Sequence, residues 1–155
     1  MSSYVTSLDA TVKRVRDTIY RLHADGPSQQ TLVQRLGDVI ERQTAEAGLR
    51  VETEYRGAVA DLETSDLADD VLAVIREALS NVVRHAQATV VAIRISVTAD
   101  SVTVDVTDDG IGVGTPDRAS GLANMTRRAY AHGGNLQLNG PPRGGTHLHW
   151  TAHRR

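Results

Sequence analysis

The chain has 155 residues, a formal net charge of −2 and no cysteine. This length suits one domain with a small appendage, and the absence of cysteine excludes disulfides and thiolate chemistry. The nearly balanced charge argues against a general nucleic-acid binder. The sequence has no run of 18 apolar residues and no signal-peptide pattern, so we expect a cytoplasmic protein without a membrane segment in this chain.

The first part of the chain carries a heptad-like apolar repeat. Its members are spaced alternately by three and four residues: Val5, Leu8, Val12, Val15, Ile19 and Leu22. This spacing is typical of a helix that packs against a partner helix, and Gly26-Pro27 ends it. We interpret residues 1–27 as the end of a dimerisation helix and a linker, followed by a globular domain over residues 28–155. An amphipathic helix folded back on its own domain is the alternative.

Helices and strands alternate beyond this linker. A helix with Ser28 as its N-cap is predicted to end at Gly48, and a strand follows at Leu49–Tyr55. Residues 57–69 are polar and rich in turn formers. After one further helix, the aliphatic run Thr89–Val97 predicts another strand.

The helix between these segments, predicted at 67–86, separates polar from aliphatic side chains. At 100° per residue, one stripe contains six polar positions: Asp70, Glu77, Ser80, Asn81, Arg84 and His85. An exposed helix face would show the same separation, but these residue types also suit a magnesium–triphosphate. The Asn81 carbonyl can ligate a hard cation, and Glu77, one turn earlier, can act as a base. Arg84 and His85, one turn beyond, can meet phosphate oxygens.

The segment Ser101–Gly114 combines a strand with a glycine-rich turn. Three valines alternate with polar residues, and the alternation carries Asp108 onto the valine side of the strand. A carboxylate at a buried edge needs a donor. The glycines that follow, Gly110, Gly112 and Gly114, let the backbone approach another molecule closely. The segment is either an ordinary Asp-Gly turn or the floor of a pocket for a flat ring with an amino group.

A helix and a hairpin complete the chain. The helix is predicted at Gly121–Gly133, and the glycine at its start leaves free amide groups that suit a phosphate. The hairpin pairs Asn135–Asn139 with Thr146–Thr151. His147 and His149 share one face of the last strand. Because no carboxylate or third histidine is close in sequence, we prefer a solvated strand face to a metal pair.

Four short motifs give the chain a resemblance to the ATP-binding domain of sensor histidine kinases. Two are similar to its N box and first glycine box: Glu77-Ala-Leu-Ser-Asn81-Val-Val-Arg84-His85 and Asp108-Asp-Gly110-Ile-Gly112. Two more are similar to its second glycine box and closing Gly-Thr strand: Gly121-Leu122-Ala-Asn-Met125 and Gly144-Gly145-Thr146. The motifs keep the family's order and spacing over about residues 28–151. The short lid and the GLxxM…GG pattern resemble the NarL/DesK-type branch and, within it, mycobacterial oxygen or redox sensor kinases.

The resemblance implies a Bergerat ATP-binding fold with ATP and Mg²⁺ as ligands. This fold is a two-layer α/β sandwich, with a mixed, mostly antiparallel sheet and helices on one face. Carried over by motif, the catalytic candidates are Glu77, Asn81 and His85, and Asn81 is the magnesium ligand. The nucleotide-binding candidates are Asn81, Arg84, His85, Asp108, Gly110, Gly112, Gly121, Leu122 and Thr146. Among these, Asp108 would accept from the adenine amino group, and Gly121 and Leu122 would form the far hinge of the lid.

The resemblance also implies the catalytic part of a histidine kinase, without the helix that carries the acceptor histidine. The γ-phosphoryl group of ATP would pass to a histidine on a separate dimerisation domain of the same full-length homodimer, with a response regulator downstream. The acceptor helix of this branch is missing here, and we interpret Leu22-His23-Ala24-Asp25 as a linker. There is no F box and the lid is short, so we expect weak nucleotide binding. The alternatives are a serine kinase of the anti-sigma-factor type and a non-catalytic ATP-sensing module.

Overall fold

The computed structural model describes residues 30–112, 119–140 and 142–155. They contain three α-helices: α1 (Leu32–Thr44), α2 (Leu67–Asn81) and α3 (Ala119–Ala131). They also contain five strands: β1 (Arg50–Gly57), β2 (Val90–Val97), β3 (Ser101–Asp108), β4 (Leu136–Asn139) and β5 (Thr146–His153). Within these residues, no helix has the length and apolar character needed to cross a bilayer. The heptad repeat, His23 and the centre of the lid lie outside the described residues, so the division at residue 27 stays a prediction.

The five strands form one mixed sheet in the order β1-β2-β3-β5-β4. β1 and β2 are parallel, and the other neighbouring pairs are antiparallel. α2 packs on β3, α3 packs on β4 and β5, and α1 packs against α2. The predicted two-layer sandwich with a mostly antiparallel sheet is therefore confirmed.

The core between the layers is aliphatic, as a chain without phenylalanine requires. The valine side of β3 is buried against the helices, and Trp150 of β5 is fully buried. The Trp150 Nε1–H donates to the Met125 carbonyl at 3.0 Å, which ties β5 to α3. Val59 and Leu62 are also buried, in a short 3₁₀-helix where the sequence predicted only a polar, turn-rich stretch.

Several predicted helix boundaries were wrong. α1 ends at Thr44 rather than at Gly48, and α3 spans Ala119–Ala131 rather than Gly121–Gly133. The N-cap of α1 is Thr31 rather than Ser28, because Thr31 and Gln34 form a capping box. The Gln34 N–H donates to Thr31 Oγ1 at 3.2 Å, and the Thr31 N–H donates to Gln34 Oε1 at 2.9 Å. The helix predicted to continue to residue 86 is α-helical only to Asn81 and then forms a π-helical turn over Val82–Ala86.

Asp109, directly after β3, joins the end of this strand to the start of β2. Its carboxylate accepts from the Thr89 hydroxyl at 2.6 Å, from the Thr89 N–H at 2.8 Å and from the Val90 N–H at 3.0 Å. These hydrogen bonds, led by the Thr89 hydroxyl, lower the pKa of Asp109 from 3.8 to about 2. The contacts fix the backbone position next to Asp108.

We expect Asp109→Asn to destabilise the domain at neutral pH and to lose this effect in acid. Because the pKa is depressed in the folded state, the carboxylate stabilises fully above its ordinary pKa of 3.8 and stops doing so as the pH falls through about 2. The difference in urea midpoint between wild type and variant should shrink over this interval. Thr89→Val, which removes one donor, should give a smaller difference with the same pH dependence. A difference that stays constant into acid would contradict the assignment.

Candidate functional site

A small pocket lies between the sheet and the C-terminal end of α2. Its lining is largely apolar and includes nine residues: Ala78, Asn81, Val82, Val106, Asp108, Leu122, Leu138, Thr146 and Leu148. Four of the residues predicted from the sequence, Asn81, Asp108, Leu122 and Thr146, thus surround one space. Apolar walls with a few convergent polar groups are typical of small-molecule sites.

Asp108 and Thr146 form the polar side of this pocket. They lie directly opposite each other in the pairing of β3 with β5, and Asp108 is only 8% exposed. Asp108 Oδ1 accepts from the Gly110 N–H at 2.8 Å. Among the described residues, Thr146 Oγ1 is the buried side-chain polar atom without a hydrogen-bond partner. An unpaired buried hydroxyl costs about 1–3 kcal/mol, so a ligand or a water molecule that bonds to it in the pocket is favoured.

Gly110 brings three of the motifs into backbone contact. The Ile111 N–H donates to the Ala86 carbonyl at 2.7 Å, and the Gly145 N–H donates to the Gly110 carbonyl at 2.7 Å. A Cβ at position 110 would lie 2.1 Å from the Ala86 oxygen, so no side chain fits there. Ala86, which directly follows the N box, therefore meets the first glycine box and the closing Gly-Gly pair at one point beside Asp108.

The π-helical turn changes where the end of the N box lies. Asn81, the last residue of α2, is partly buried and lines the pocket, whereas Arg84 is exposed and His85 is partly buried in the turn. In the described part of the chain, neither Arg84 nor His85 lines the pocket. The single stripe predicted from 100° per residue fails here, because a π-helical turn holds more residues than an α-helical one.

Asp70, which the same stripe placed with the site, belongs to a different cluster. Its carboxylate accepts from Arg128 of α3 and lies 2.7 Å from Nε2 of His132, which directly follows α3. These contacts join α2 to the C-terminal end of α3. Asp70 lies in the first turn of α2, whereas Asn81 is its last residue.

Glu77 lies against the first turn of α3. A Cβ at Gly121 would fall 1.9 Å from Glu77 Oε1, so the glycine makes room for this carboxylate. A helix N-terminus carries partial positive charge and favours a carboxylate there.

Gly112 lies on the other side of the site, close to the Gly145 carbonyl. Its φ of +92° is a left-handed backbone conformation that suits glycine.

The residues fit an adenine ring in chemistry, but the space is small. A carboxylate and a hydroxyl between aliphatic walls suit the amino edge and the faces of a purine, and the Asn81 amide oxygen suits a hard cation. The cavity volume is about 20 Å³, which is room for one water molecule. A nucleotide therefore requires the walls to move apart.

Sequence reasoning missed two carboxylates. Asp109 was not considered, because Asp108 beside it was the motif residue with an expected role. The hydrogen bonds that Asp109 accepts from Thr89 and Val90 hold the end of β3 in place. Asp105 was passed over because it is more than forty residues before His147 and His149, yet the pairing of β3 with β5 brings the three together. The alternation of β3 places Asp105 on the polar side of the strand, and this was the one sequence feature that could have indicated its role.

Comparison with known proteins agrees with this geometry. The family model described as histidine kinase-, DNA gyrase B-, and HSP90-like ATPase matches residues 66–155. Among solved structures, the chain is similar to the mycobacterial sensor histidine kinase MprB, with a TM-score of 0.60 and 16% identity over 80% of this chain and 95% of that chain. It is also similar to the blue-light activated histidine kinase EL346 of Erythrobacter litoralis, with a TM-score of 0.60 and 19% identity over 76% of this chain.

At these identities the likeness to solved structures concerns the fold alone, and the match spans only 40% of the Erythrobacter protein. The family model, in contrast, covers more than half of this chain, including α2, the pocket and every described strand after it. The chain belongs to the family of histidine kinase-, DNA gyrase B- and HSP90-like ATPases, with the ATP-binding fold that sensor histidine kinases share.

Proposed function

We propose that this chain binds Mg-ATP and donates the γ-phosphoryl group to a histidine on a separate dimerisation domain, as the catalytic part of a two-component sensor kinase. The observation that carries the proposal is the convergence of Asn81, Asp108 and Thr146 on one pocket. Membership of the ATPase family supports ATP as the ligand. The two histidine kinases of similar fold support a histidine as the acceptor.

In this proposal Asp108 selects the adenine ring. Its carboxylate accepts from the exocyclic amino group, and the unpartnered hydroxyl of Thr146 lies next to it on the neighbouring strand. The backbone at Gly110 and Gly112 leaves space at the edge of the ring. Leu122 forms one apolar wall and, with Gly121, the end of the lid that must move when the nucleotide enters.

The phosphate end of the site lies at the C-terminal end of α2. Bound Mg²⁺ would neutralise charge on the phosphates, and the Asn81 amide oxygen is the ligand this chain offers it. Arg84 and His85 supply donors to phosphate oxygens. Glu77 takes the proton from the acceptor imidazole as the new N–P bond forms and the P–O bond to ADP breaks.

The acceptor histidine belongs to the same full-length protein in this proposal. Residues 1–27 are the end of its dimerisation helix, residues 28–155 are the catalytic domain, and the assembly is a cytoplasmic homodimer of the NarL/DesK-type branch that phosphorylates a response regulator. One alternative is a non-catalytic module that binds ATP without transferring a phosphoryl group. A measurement of phosphoryl transfer to an acceptor distinguishes a kinase from such a module.

We expect Asp108→Asn to weaken nucleotide binding. The substitution puts an amide donor against the amino group of adenine, which should cost about 1–3 kcal/mol, or roughly 5- to 150-fold in Kd. Calorimetric titration with Mg-ADP measures this, and circular dichroism verifies that the variant is folded. Asp100→Asn, an exposed carboxylate in the turn between β2 and β3, is the matched control and should bind like wild type. Equal affinity in a folded Asp108→Asn variant would remove the adenine assignment.

We expect the chain to phosphorylate an added dimerisation fragment but not itself. Phosphoryl transfer depends on placing the acceptor in line with the γ-phosphate, which a separate fragment can provide. With γ-labelled ATP, acid-labile label should appear on the fragment only. Glu77→Gln should lower the rate of transfer while the Kd for Mg-ADP stays near that of wild type.

The other outcomes of this experiment each point to a different function. Acid-labile label on the chain alone would contradict the missing acceptor and point to His23. Acid-stable label on a partner serine would identify a serine kinase. Nucleotide binding without any transfer would identify a sensing module.

A further inference from the structure

Three side chains with metal-binding atoms converge on the open face of the sheet, away from the pocket. Asp105 comes from β3, and His147 and His149 come from β5. Asp105 Oδ1 lies 2.8 Å from His147 Nε2 and 2.7 Å from His149 Nδ1. One potential ligand atom from each residue lies within 4.8 Å of the others, and among the described residues this is the one such group of histidines and carboxylates.

The register of the sheet holds this cluster in place. Asp105 is directly opposite His149, and His147 lies two residues along on the same face, opposite Thr107. Direct and diagonal neighbours on one face of an antiparallel pair are the side chains that touch. β3 and β5 each have a partner strand on both sides, so the backbone that carries the three ligands is fixed. The ligand set is therefore preorganised without a loop.

Charge and exposure also suit a cation. The Asp105 carboxylate lies between the two imidazoles, within hydrogen-bond distance of both, and a carboxylate beside two imidazoles attracts a cation. Arg94, opposite Asp105 on β2, donates to Glu54 at 2.8 Å, a carboxylate that also accepts from Arg56 at 2.7 Å. The side chains of His147 and His149 are about one-third exposed, at 36% and 33%, which leaves an ion access from solvent.

We propose that Asp105, His147 and His149 form a binding site for a divalent transition metal ion, with Zn²⁺ as the best fit. Two imidazoles and one carboxylate are a ligand set that zinc accepts, and a fourth position remains open to solvent. Ligand atoms around tetrahedral zinc lie roughly 3.3 Å apart, so binding requires Asp105 Oδ1 to move away from each imidazole nitrogen by about half an ångström. Each imidazole presents its lone pair by moving its proton to the other ring nitrogen.

This site is separate from the nucleotide site. Asp105 points to the opposite side of β3 from Asp108, because the two are an odd number of residues apart. Magnesium at Asn81 needs oxygen ligands, whereas two imidazoles favour a softer ion. Metal binding at the cluster can therefore be measured without ATP. The result of that measurement does not depend on the proposed kinase activity.

The experiment is a calorimetric titration of ZnCl₂ into the chain, free of any polyhistidine tag and stripped of metal with a chelator. We expect one ion per chain and a higher thermal midpoint, because the ion binds the folded state. His149→Gln and the double variant His147→Gln/His149→Gln should lower the affinity by a factor on the order of 100 or more. His153→Gln, at the exposed end of the same face of β5, is the matched control and should bind like wild type.

Two outcomes would overturn the proposal. One is no binding to wild type at millimolar Zn²⁺, and the other is equal binding by wild type and the double variant, which would locate the ion elsewhere. Should a variant fail to fold, Co²⁺ added to wild type decides. Visible absorption typical of four- or five-coordinate cobalt, with the large contact shifts of metal-ligating imidazoles assigned to His147 and His149, supports the site. A six-coordinate spectrum, or contact-shifted ring signals that belong to other histidines, contradicts it.

Discussion

The candidate nucleotide site depends on the contact between the backbone of Gly110 and the carbonyl of Ala86. A side chain at position 110 would overlap this oxygen, so only the absence of a Cβ allows the approach. The hydrogen bonds from Ile111 to Ala86 and from Gly145 to Gly110, both 2.7 Å, then join the helix end, the strand β3 and the start of β5. Because Asp108 accepts from the Gly110 N–H, the same contact orients the carboxylate at the pocket floor.

The two faces of the sheet support different chemistry because side chains alternate along each strand. On the helix-covered face, β3 and β5 contribute Asp108 and Thr146 to a pocket with apolar walls. On the open face, the same strands contribute Asp105 and the histidines 147 and 149. A carboxylate among aliphatic residues can recognise a donor on a flat ring, whereas one shared by two imidazoles suits a cation. One strand pair therefore carries two candidate sites.

Much of the fold and part of the site could be predicted from local patterns. Strand parity placed Asp108 on the buried side, where it is 8% exposed. The capping box of Thr31 and Gln34 is also a local pattern, since it needs only two residues three positions apart, but Ser28 was predicted as the N-cap instead. The positions of Arg84 and His85 could not be predicted, since a uniform helical period does not reveal a π-helical turn. The buried Val59 and Leu62 were missed because tertiary packing outweighed a polar local composition.

The sequence by itself determined the order of the elements, the buried side of β3 and the four motifs of the ATPase family, because each depends on residues close together along the chain. Only the tertiary structure decided which motif residues surround one pocket, how large this pocket is and which carboxylate meets His147 and His149. These properties depend on strand register and on how closely backbones approach. Both are set by contacts between residues far apart in sequence, such as Asp105 with His149, and no local pattern encodes them.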